Sequence, residues 1–128
     1  MSDLLVDTHT LLWWVSDDER LSSVARDAIL GAARVAASDV SLWELTVKAT
    51  IGKIRLDPSV SEWFERHTTR SRFRELPITR HHLADLASLP LEHRDPFDRL
   101  LIAQARVENL TLVSSDSEIA KYEVRMLW

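Results

Sequence analysis

The sequence predicts an α/β fold, with a central parallel sheet of about five strands flanked by helices. Short apolar runs at residues 4–6 and 110–113 have the length and composition of buried parallel strands. Such runs alternate along the chain with longer helical patterns, which is the order that a parallel sheet requires. The chain has 128 residues, of which 45% are hydrophobic, so we expect one domain, residues 1–128, with a substantial core.

Two apolar runs, at residues 4–6 and 35–37, are the first two predicted strands. Between them, residues 8–15 form a helix, and a second helix begins at Ser22 or Ser23, because serine is a favoured N-cap. One stripe of this second helix is apolar and is expected to face the core: Val24, Ala25, Ala28 and Ile29.

The third predicted helix opens at Ser41 with Glu44 three residues later, which is the pattern of a capping box, and Gly52 ends it. Ser59 starts a fourth helix that runs to about Arg70. The later elements continue the alternation: a strand within 73–78, a helix from Thr79 to near Pro90, a helix from Asp95-Pro96 to Asn109, a strand at 110–113, a short helix after Asp116 and a strand at 124–127.

Composition excludes several functional classes. The net charge of −4 rules out a strongly basic nucleic-acid binder, so any grip on a polyanion must be local or mediated by a metal. With no cysteine, the chain has no disulfide, zinc–thiolate site or thiol nucleophile, which suits a cytoplasmic protein. The first residues lack the pattern of a signal peptide, and no apolar run is long enough to span a membrane.

Four acidic residues stand where predicted strands end or helices begin: Asp7, Glu44, Asp98 and Asp116. Asp7 and Asp116 follow strands, Glu44 lies in the helix after the second strand, and Asp98 lies in the first turn of a helix whose far end leads into the fourth strand. Parallel sheets bind ligands at the carboxyl ends of their strands, where all four should meet. Clustered carboxylates repel one another without a cation, and Mg²⁺ or Mn²⁺ prefers oxygen ligands, so the pattern predicts a metal site.

Each acid also has a purely structural interpretation. Asp7 and Asp116 are each placed to cap the helix that follows, and Asp98 stands three residues after Asp95. Glu44 is placed to complete a capping box or to pair with Lys48 four residues later. These alternatives stay open at the level of the residues alone.

Several segments resemble PIN-domain ribonucleases, and within them the VapC toxins of type II toxin–antitoxin pairs. The matching segments cover essentially the whole chain: Leu4-Leu5-Val6-Asp7-Thr8-His9, Ser41-Leu42-Trp43-Glu44, the most specific stretch from His93 to Ala105 with Asp95-Pro96-Phe97-Asp98, Leu112-Val113-Ser114-Ser115-Asp116 and the final Leu127-Trp128. Serine stands at 114 and 115 where threonine is frequent in the family, which casts little doubt on the site.

The resemblance implies a PIN-like fold and a Mg²⁺-dependent endoribonuclease, with Mn²⁺ as an alternative metal, that a cognate VapB-type antitoxin inhibits. It makes Asp7, Glu44, Asp98 and Asp116 the catalytic, metal-binding quartet, with Asp7 and Asp98 as the firmest ligands. Asp95 becomes the cap that places Asp98, and Ser114 a hydroxyl that hydrogen-bonds a carboxylate. The resemblance also implies a homodimer and an apolar groove for the antitoxin. Core packing is the default interpretation of the five tryptophans, and the sequence assigns none of them to the groove or to the dimer interface.

The expected reaction is hydrolysis of single-stranded RNA by a metal-activated water, leaving 5′-phosphate and 3′-hydroxyl ends. Basic residues near the predicted rim are candidates for holding RNA: Lys48, Lys53, Arg55 and Arg99. A cluster at Arg66, Arg70, Arg72 and Arg74 is a further candidate surface, although solvated charge is an equal interpretation for each.

The alternatives come from other functional classes. Asp7 at the end of the first strand also suits an aspartate-nucleophile phosphatase, but His9 stands where that chemistry usually has a second acid. A non-catalytic PIN-like binding module and another metal-dependent phosphoesterase or nuclease are the others. His9, two residues after Asp7, has an approach to the site as one interpretation, with packing or surface placement as the favoured one. His81, His82 and His93 have no ligand spacing.

Overall fold

The computed structural model describes residues 3–91 and 95–128, which fold around a five-stranded parallel sheet. The strands are β1 (Asp3–Val6), β2 (Arg34–Ser38), β3 (Arg74–Leu76), β4 (Thr111–Val113) and β5 (Met126–Leu127). Their order across the sheet is β3-β2-β1-β4-β5, and each neighbouring pair is parallel. The predicted fold class is confirmed. His93 and Arg94 lie outside the described residues.

Helices cover both faces of the sheet. They are α1 (Thr8–Ser16), α2 (Ser23–Gly31), α3 (Asp39–Thr50), α4 (Val60–Ser71), α5 (Arg80–Ser88) and α6 (Pro96–Glu108), with a short 3₁₀ turn at Ile119–Lys121. In the described ranges 3–91 and 95–128, no helix has the length and hydropathy that crossing a bilayer needs.

The core has two layers because successive residues of a strand point to opposite faces of the sheet. Leu4 and Val6 pack with the apolar sides of α1, α2 and α4, whereas Leu5 packs with α6. All three are at most 1% exposed, so β1 is buried on both sides, as the continuous apolar run predicts.

Most of the predicted caps are confirmed by hydrogen bonds. Ser22 accepts from the Ala25 amide at 3.0 Å, and Ser59 and Thr79 cap α4 and α5 in the same way. Asn109 ends α6 in the left-handed conformation. The predicted apolar stripe of α2 is wrong in one member, since Val24 is 53% exposed while Ala25 and Ile29 are buried.

The capping box predicted at Ser41 is wrong, because α3 begins one turn earlier. Ser38 is the N-cap, with its hydroxyl accepting from the Val40 amide at 2.9 Å, and Ser41 is a fully buried residue inside the helix. Glu44 therefore does not cap the backbone, and its carboxylate is available for side-chain contacts. Gly52 follows the helix with φ of 78°, as its predicted role at the helix end requires.

A buried polar chain, formed by Ser38, Gln104 and His82, joins α3, α6 and α5. The Ser38 hydroxyl donates to Oε1 of Gln104, and Nε2 of Gln104 donates to the carbonyl of Pro77 at 3.3 Å. The same Nε2 lies 3.3 Å from Nδ1 of His82. All three members are completely buried, so their polar atoms depend on one another for partners.

The far end of this chain fixes the protonation pattern of His82. Its Nδ1 accepts the backbone N–H of Thr79 at 3.0 Å, so the ring proton belongs on Nε2, which lies 2.8 Å from Oε2 of Glu108. His82 is thus a structural histidine, in agreement with the absence of ligand spacing in the sequence.

Candidate functional site

The strand order reverses between β1 and β4, and this is where two of the predicted acids lie. The chain runs from β1 outward to β2 and β3, and β4 then pairs with the other side of β1. Val6 pairs with Val113, and the Asp7 amide donates to the Val113 carbonyl at 3.1 Å. Asp7 and Ser114 therefore stand side by side at the carboxyl edge, the position at which open α/β sheets bind ligands.

A cavity of about 190 Å³ opens at this edge, and we call it the acidic cavity. Its lining contains all four predicted acids together with the residues that surround them: Asp7, Thr8, His9, Glu44, Lys48, Asp95, Asp98, Ser115 and Asp116. Residues from four separate parts of the chain thus meet here, as the topology of the predicted elements indicated.

Asp7 is the most buried of the acids, with 5% of its surface exposed. Its Oδ1 accepts the Thr10 amide at 2.8 Å and so caps α1. Burial raises the pKa of the Asp7 carboxyl above its ordinary value of 3.8, although hydrogen bonds from Ser114 and Thr10 oppose the shift. The Ser114 hydroxyl therefore acts on the Asp7 carboxyl, as the resemblance implies. A carboxylate held in so dry a place is stabilised by any cation that enters the cavity.

Replacing Asp7 by Asn is expected to raise the free energy of unfolding at neutral pH in metal-free buffer. Asn caps a helix as well as Asp does, but it carries no buried charge. The raised pKa means that the folded wild type loses stability as pH rises from about 3.8 through the folded value, so the advantage of the variant develops across that window and is absent below it.

Thermal unfolding at about pH 3.5 and pH 7 with a chelator measures this difference. For a domain of this size, each kcal/mol raises Tm by about 3–6 °C. The matched control is Asp27→Asn, which removes an exposed acid from α2 and should leave Tm nearly unchanged. A variant that is less stable than the wild type at pH 7 would show that the Asp7 charge is well compensated.

Two side chains contact Glu44 directly, and Ser41 contacts one of them, Thr8. Thr8 Oγ1 donates to Oε1 of Glu44 at 2.7 Å and also lies 2.9 Å from the hydroxyl of Ser41. Lys48 Nζ lies 2.7 Å from its other oxygen, Oε2, and forms the ion pair that the i,i+4 spacing predicts. Glu44 is only 5% exposed, and these contacts hold its carboxylate at the wall of the acidic cavity.

The two remaining predicted acids are Asp98, in the first turn of α6, and Asp116, which follows β4 after two serines. Asp95 caps α6, since its Oδ1 accepts the amides of Phe97 and Asp98 at 2.8 Å and 3.1 Å. This is the scaffold role predicted for Asp95, and it leaves the half-buried Asp98 side chain at the cavity wall. Asp116 accepts the Glu118 amide at 2.9 Å, and its own amide donates to Ser114 Oγ at 3.1 Å.

The donor chemistry of the cavity fits a hard divalent cation such as Mg²⁺ or Mn²⁺. Five carboxylates, the predicted four and that of Asp95, line one small space, and burial disfavours the charge of Asp7 in the absence of a cation. Among residues 3–91 and 95–128, however, no three Asp, Glu or His side chains are already gathered around one point. Lys48 and Thr8 each contact one oxygen of Glu44. A cation that used the Glu44 carboxylate would compete with these two contacts.

The other basic residues predicted near the rim separate into different roles. Lys48 lines the cavity, whereas Arg55 is highly exposed and pairs with Asp57. Arg99 donates to the Leu89 carbonyl at 3.2 Å, a contact between α6 and the end of α5. Lys53 is exposed after the end of α3.

The arginine cluster does not face the acidic cavity. Arg66 and Arg70 line a groove of about 570 Å³ on α4, together with acidic and hydroxyl side chains. Because α4 leads into the start of β3, the C-terminal end of α4 lies at the opposite edge of the sheet. A substrate-approach surface at Arg66, Arg70, Arg72 and Arg74 is therefore not supported by the fold.

Some contacts of this region were not predicted from the sequence. Thr8 donates to Glu44 and also contacts Ser41, whereas the sequence indicated Ser41 only as a helix cap and Thr8 only as the residue after Asp7. Asp39, in the first turn of α3, forms an acid pair with Glu75 of β3 outside the cavity. The hydrogen bond with Asp39, the partial burial of Glu75 and the negative charge of Asp39 together raise the pKa of Glu75 to about 7. No motif in the sequence indicates that residues 39 and 75 meet.

The geometry of the sheet edge agrees with comparisons to known proteins. The family model of the PIN domain matches residues 4–124, and the chain belongs to this family. Within it, the chain is 31% identical over 123 residues to Ribonuclease VapC22 of Mycobacterium tuberculosis (strain ATCC 25618 / H37Rv), covering 95% of this chain and 93% of that protein. The predicted family, and the VapC group within it, are confirmed.

Solved structures share the fold at low sequence identity. VapBC2 from Rickettsia felis, bound to a DNA fragment from its promoter, has a TM-score of 0.71 at 14% identity, covering 97% of this chain and 96% of that chain. DNA-bound VapBC from Salmonella typhimurium has a TM-score of 0.71 at 16% identity, covering 98% of this chain and 97% of that chain.

The aspartate-nucleophile phosphatase alternative loses support, because Asp7 is buried and its Oδ1 caps α1.

Proposed function

We propose that this protein is the toxin of a type II toxin–antitoxin pair, and that it hydrolyses single-stranded RNA as a Mg²⁺- or Mn²⁺-dependent endoribonuclease. The observation that carries the proposal is the acidic cavity at the point where the strand order reverses, with Asp7, Glu44, Asp98 and Asp116 in its lining. The relative named Ribonuclease VapC22 supports the same reaction class.

The acids have distinct roles in this proposal. Asp7 and Asp98 would hold the cation, and Glu44 and Asp116 would complete its surroundings. When bound, the cation supplies Lewis acidity for the scissile phosphate and lowers the pKa of a water molecule. A carboxylate oxygen of Glu44 or Asp116 accepts a proton from the attacking water. Thr8 holds Glu44 in place through the 2.7 Å hydrogen bond.

Lys48 would contribute charge at the same place. Its ammonium group pairs with Glu44 in the described structure, at 2.7 Å and with about a third of the side chain exposed. A phosphate entering the cavity offers a competing anionic partner for this ammonium group. Lys48 is thus placed to exchange Glu44 for an RNA phosphate when the Glu44 carboxylate contacts the cation or the attacking water.

Metal-dependent cleavage of a labelled single-stranded RNA tests the proposal. We expect cleavage with Mg²⁺ or Mn²⁺ and none with excess chelator, and restoration when metal is added back. Since the attack uses water, the products carry 5′-phosphate and 3′-hydroxyl ends, and a 2′-deoxy substitution at the cut site leaves cleavage intact. Cleavage that persists in chelator, or cyclic phosphate ends, would contradict the mechanism.

The proposed partner is a VapB-type antitoxin that inhibits the enzyme. The solved complexes with the same fold are VapBC toxin–antitoxin assemblies, which supports a partner of this kind. A homodimer stays a prediction. A candidate surface for either partner, the antitoxin or a second copy, is an apolar stripe along α3 and the residue that ends it. Its members Trp43, Val47 and Ile51 are exposed by 47%, 38% and 61%.

A further inference from the structure

An aromatic stack reaches the acidic cavity through His9, and the proposed mechanism gives this stack no role. The imidazole of His9 lies on the indole of Trp13, with ring centroids 5.6 Å apart and planes inclined by 20°. Trp13 packs in turn against Trp128 at 5.6 Å, and the guanidinium of Arg20 lies 5.2 Å from the Trp13 ring. We call His9, Trp13 and Trp128 the aromatic stack.

Helix geometry explains how the stack reaches the cavity. His9 and Trp13 are four residues apart on α1, so their side chains lie on one face of the helix. His9 is exposed and belongs to the lining of the acidic cavity, whereas Trp13 and Trp128 are half-buried. The offset contact with Trp13 leaves the His9 ring exposed at the cavity.

The arrangement does more than shield Trp13 from water. Trp13 is already flanked by Trp128 and Arg20. A nearly parallel imidazole, backed by an indole and placed two residues after Asp7, presents a flat aromatic surface beside the carboxylates. Flat aromatic surfaces next to a phosphate site are how proteins hold single-stranded nucleic acid, since every base has a π face.

We propose that His9, supported by Trp13, stacks against an unpaired RNA base next to the phosphate that is cut. This rests on the proposed ribonuclease function. It gives a chain of net charge −4 a way to hold RNA that does not depend on a basic surface. It also requires single-stranded RNA, because in a duplex both faces of each base are covered by its neighbours.

Steady-state cleavage of a single-stranded oligonucleotide by His9→Ala and His9→Phe tests the inference. Stacking of one base on an aromatic side chain is lost in H9A, so KM should rise by about 5- to 150-fold, with a smaller change in kcat. H9F retains an aromatic face without the imidazole nitrogens and should stay near the wild-type KM. The matched control is His81→Ala, which removes an exposed histidine from α5.

A substrate with abasic residues around the cut site distinguishes stacking from other roles. The wild type and H9A should cleave this RNA with the same KM, because it has no base to stack. The inference is overturned if H9A matches the wild type on ordinary RNA, if H9F is as impaired as H9A, or if the defect persists on abasic RNA. It is also overturned if H9A alters only the affinity for the antitoxin.

Failure of the underlying function looks different. If the wild type cleaves no RNA with either metal, both the proposed function and the stacking role are wrong. If the wild type cleaves RNA and H9A cleaves it equally well, only the stacking role is wrong.

Discussion

The Asp98→Asn variant is expected to fold normally and to cleave RNA at least about 10²-fold more slowly than the wild type. A bound cation contributes several kcal/mol to the stabilisation of the transition state, and each 1.36 kcal/mol is about tenfold in rate. Asn keeps the size of the side chain, while the cap of α6 belongs to Asp95, so helix α6 should be preserved. Initial rates with saturating Mg²⁺, together with thermal unfolding, measure both expectations.

Two other acid-to-amide changes serve as comparisons for Asp98→Asn. Asp95→Asn alters a neighbouring residue of the same cavity but keeps a good N-cap, so its rate should stay close to that of the wild type. Asp27→Asn removes the same charge from an exposed site on α2. If D98N cleaved RNA as fast as D27N, the assignment of Asp98 as a metal ligand would be wrong.

Metal binding without catalysis gives a second readout of the same assignment. Calorimetric titration of Mg²⁺ or Mn²⁺ into the wild type should release or absorb heat with a saturable profile, and the affinity should fall in D98N. If D98N bound the metal with unchanged affinity but no longer cleaved RNA, Asp98 would contact the RNA and would not be a metal ligand. The two measurements thus separate holding the cation from other contributions to the rate.

Much of the acidic cavity could be predicted from the sequence because its members stand at element boundaries. Asp7 follows β1 directly, and Asp116 follows β4 after two serines, so a parallel sheet brings them to one edge whatever its details. Lys48 and Glu44 are four residues apart on a helix, which made their ion pair predictable. Asp95-Pro96 marked the start of α6 unambiguously.

The start of α3 was mispredicted because the local pattern favours Ser41 as the cap. Ser41 has Glu44 three residues later, as a capping box requires, whereas Ser38 has no such partner nearby. What selects Ser38 is tertiary, since its hydroxyl also donates to Gln104, 66 residues away. Contacts of that separation leave no trace in a local pattern.

The same limitation explains why the residues around the acids were missed. That Thr8 donates to Glu44 depends on how α1 packs against α3, and the sequence does not specify that distance. The spacing of His9 and Trp13 suggests a contact on one helix face, but only the fold places His9 at the cavity.

Capping and a place in the proposed catalytic site are compatible for Asp7. One oxygen of its carboxylate accepts the Thr10 amide, and the residue also lines the acidic cavity. The helix cap holds the side chain in a defined orientation, which a ligand of a cation needs. Asp95 and Asp98 divide these tasks between two residues, since the first caps α6 and the second lies at the cavity wall.

Replacing Gln104 by Leu is expected to destabilise the protein by about 2–4 kcal/mol, because it leaves several buried polar groups without partners. Gln104 is completely buried, accepts from the Ser38 hydroxyl and donates to the Pro77 carbonyl. Leucine has a similar volume, so the loss reflects hydrogen bonds more than packing. At about 3–6 °C per kcal/mol, Tm should fall by roughly 6–24 °C.

A double-mutant cycle with Ser38→Ala isolates the contact that matters for the site. Ser38 caps α3, which carries Glu44, and Gln104 lies in α6, which carries Asp98, so their hydrogen bond joins the two helices on which the cavity depends. The coupling energy of S38A and Q104L should lie at about 0.5–3 kcal/mol. Gln104→Glu keeps an acceptor for Ser38, but when ionised it buries an uncompensated charge and loses the donor for Pro77, so it should be at least as destabilising as Q104L at neutral pH. If Q104L unfolded at the wild-type temperature, the buried chain would be neutral for stability, and α3 and α6 would have to be held in place by their apolar contacts alone.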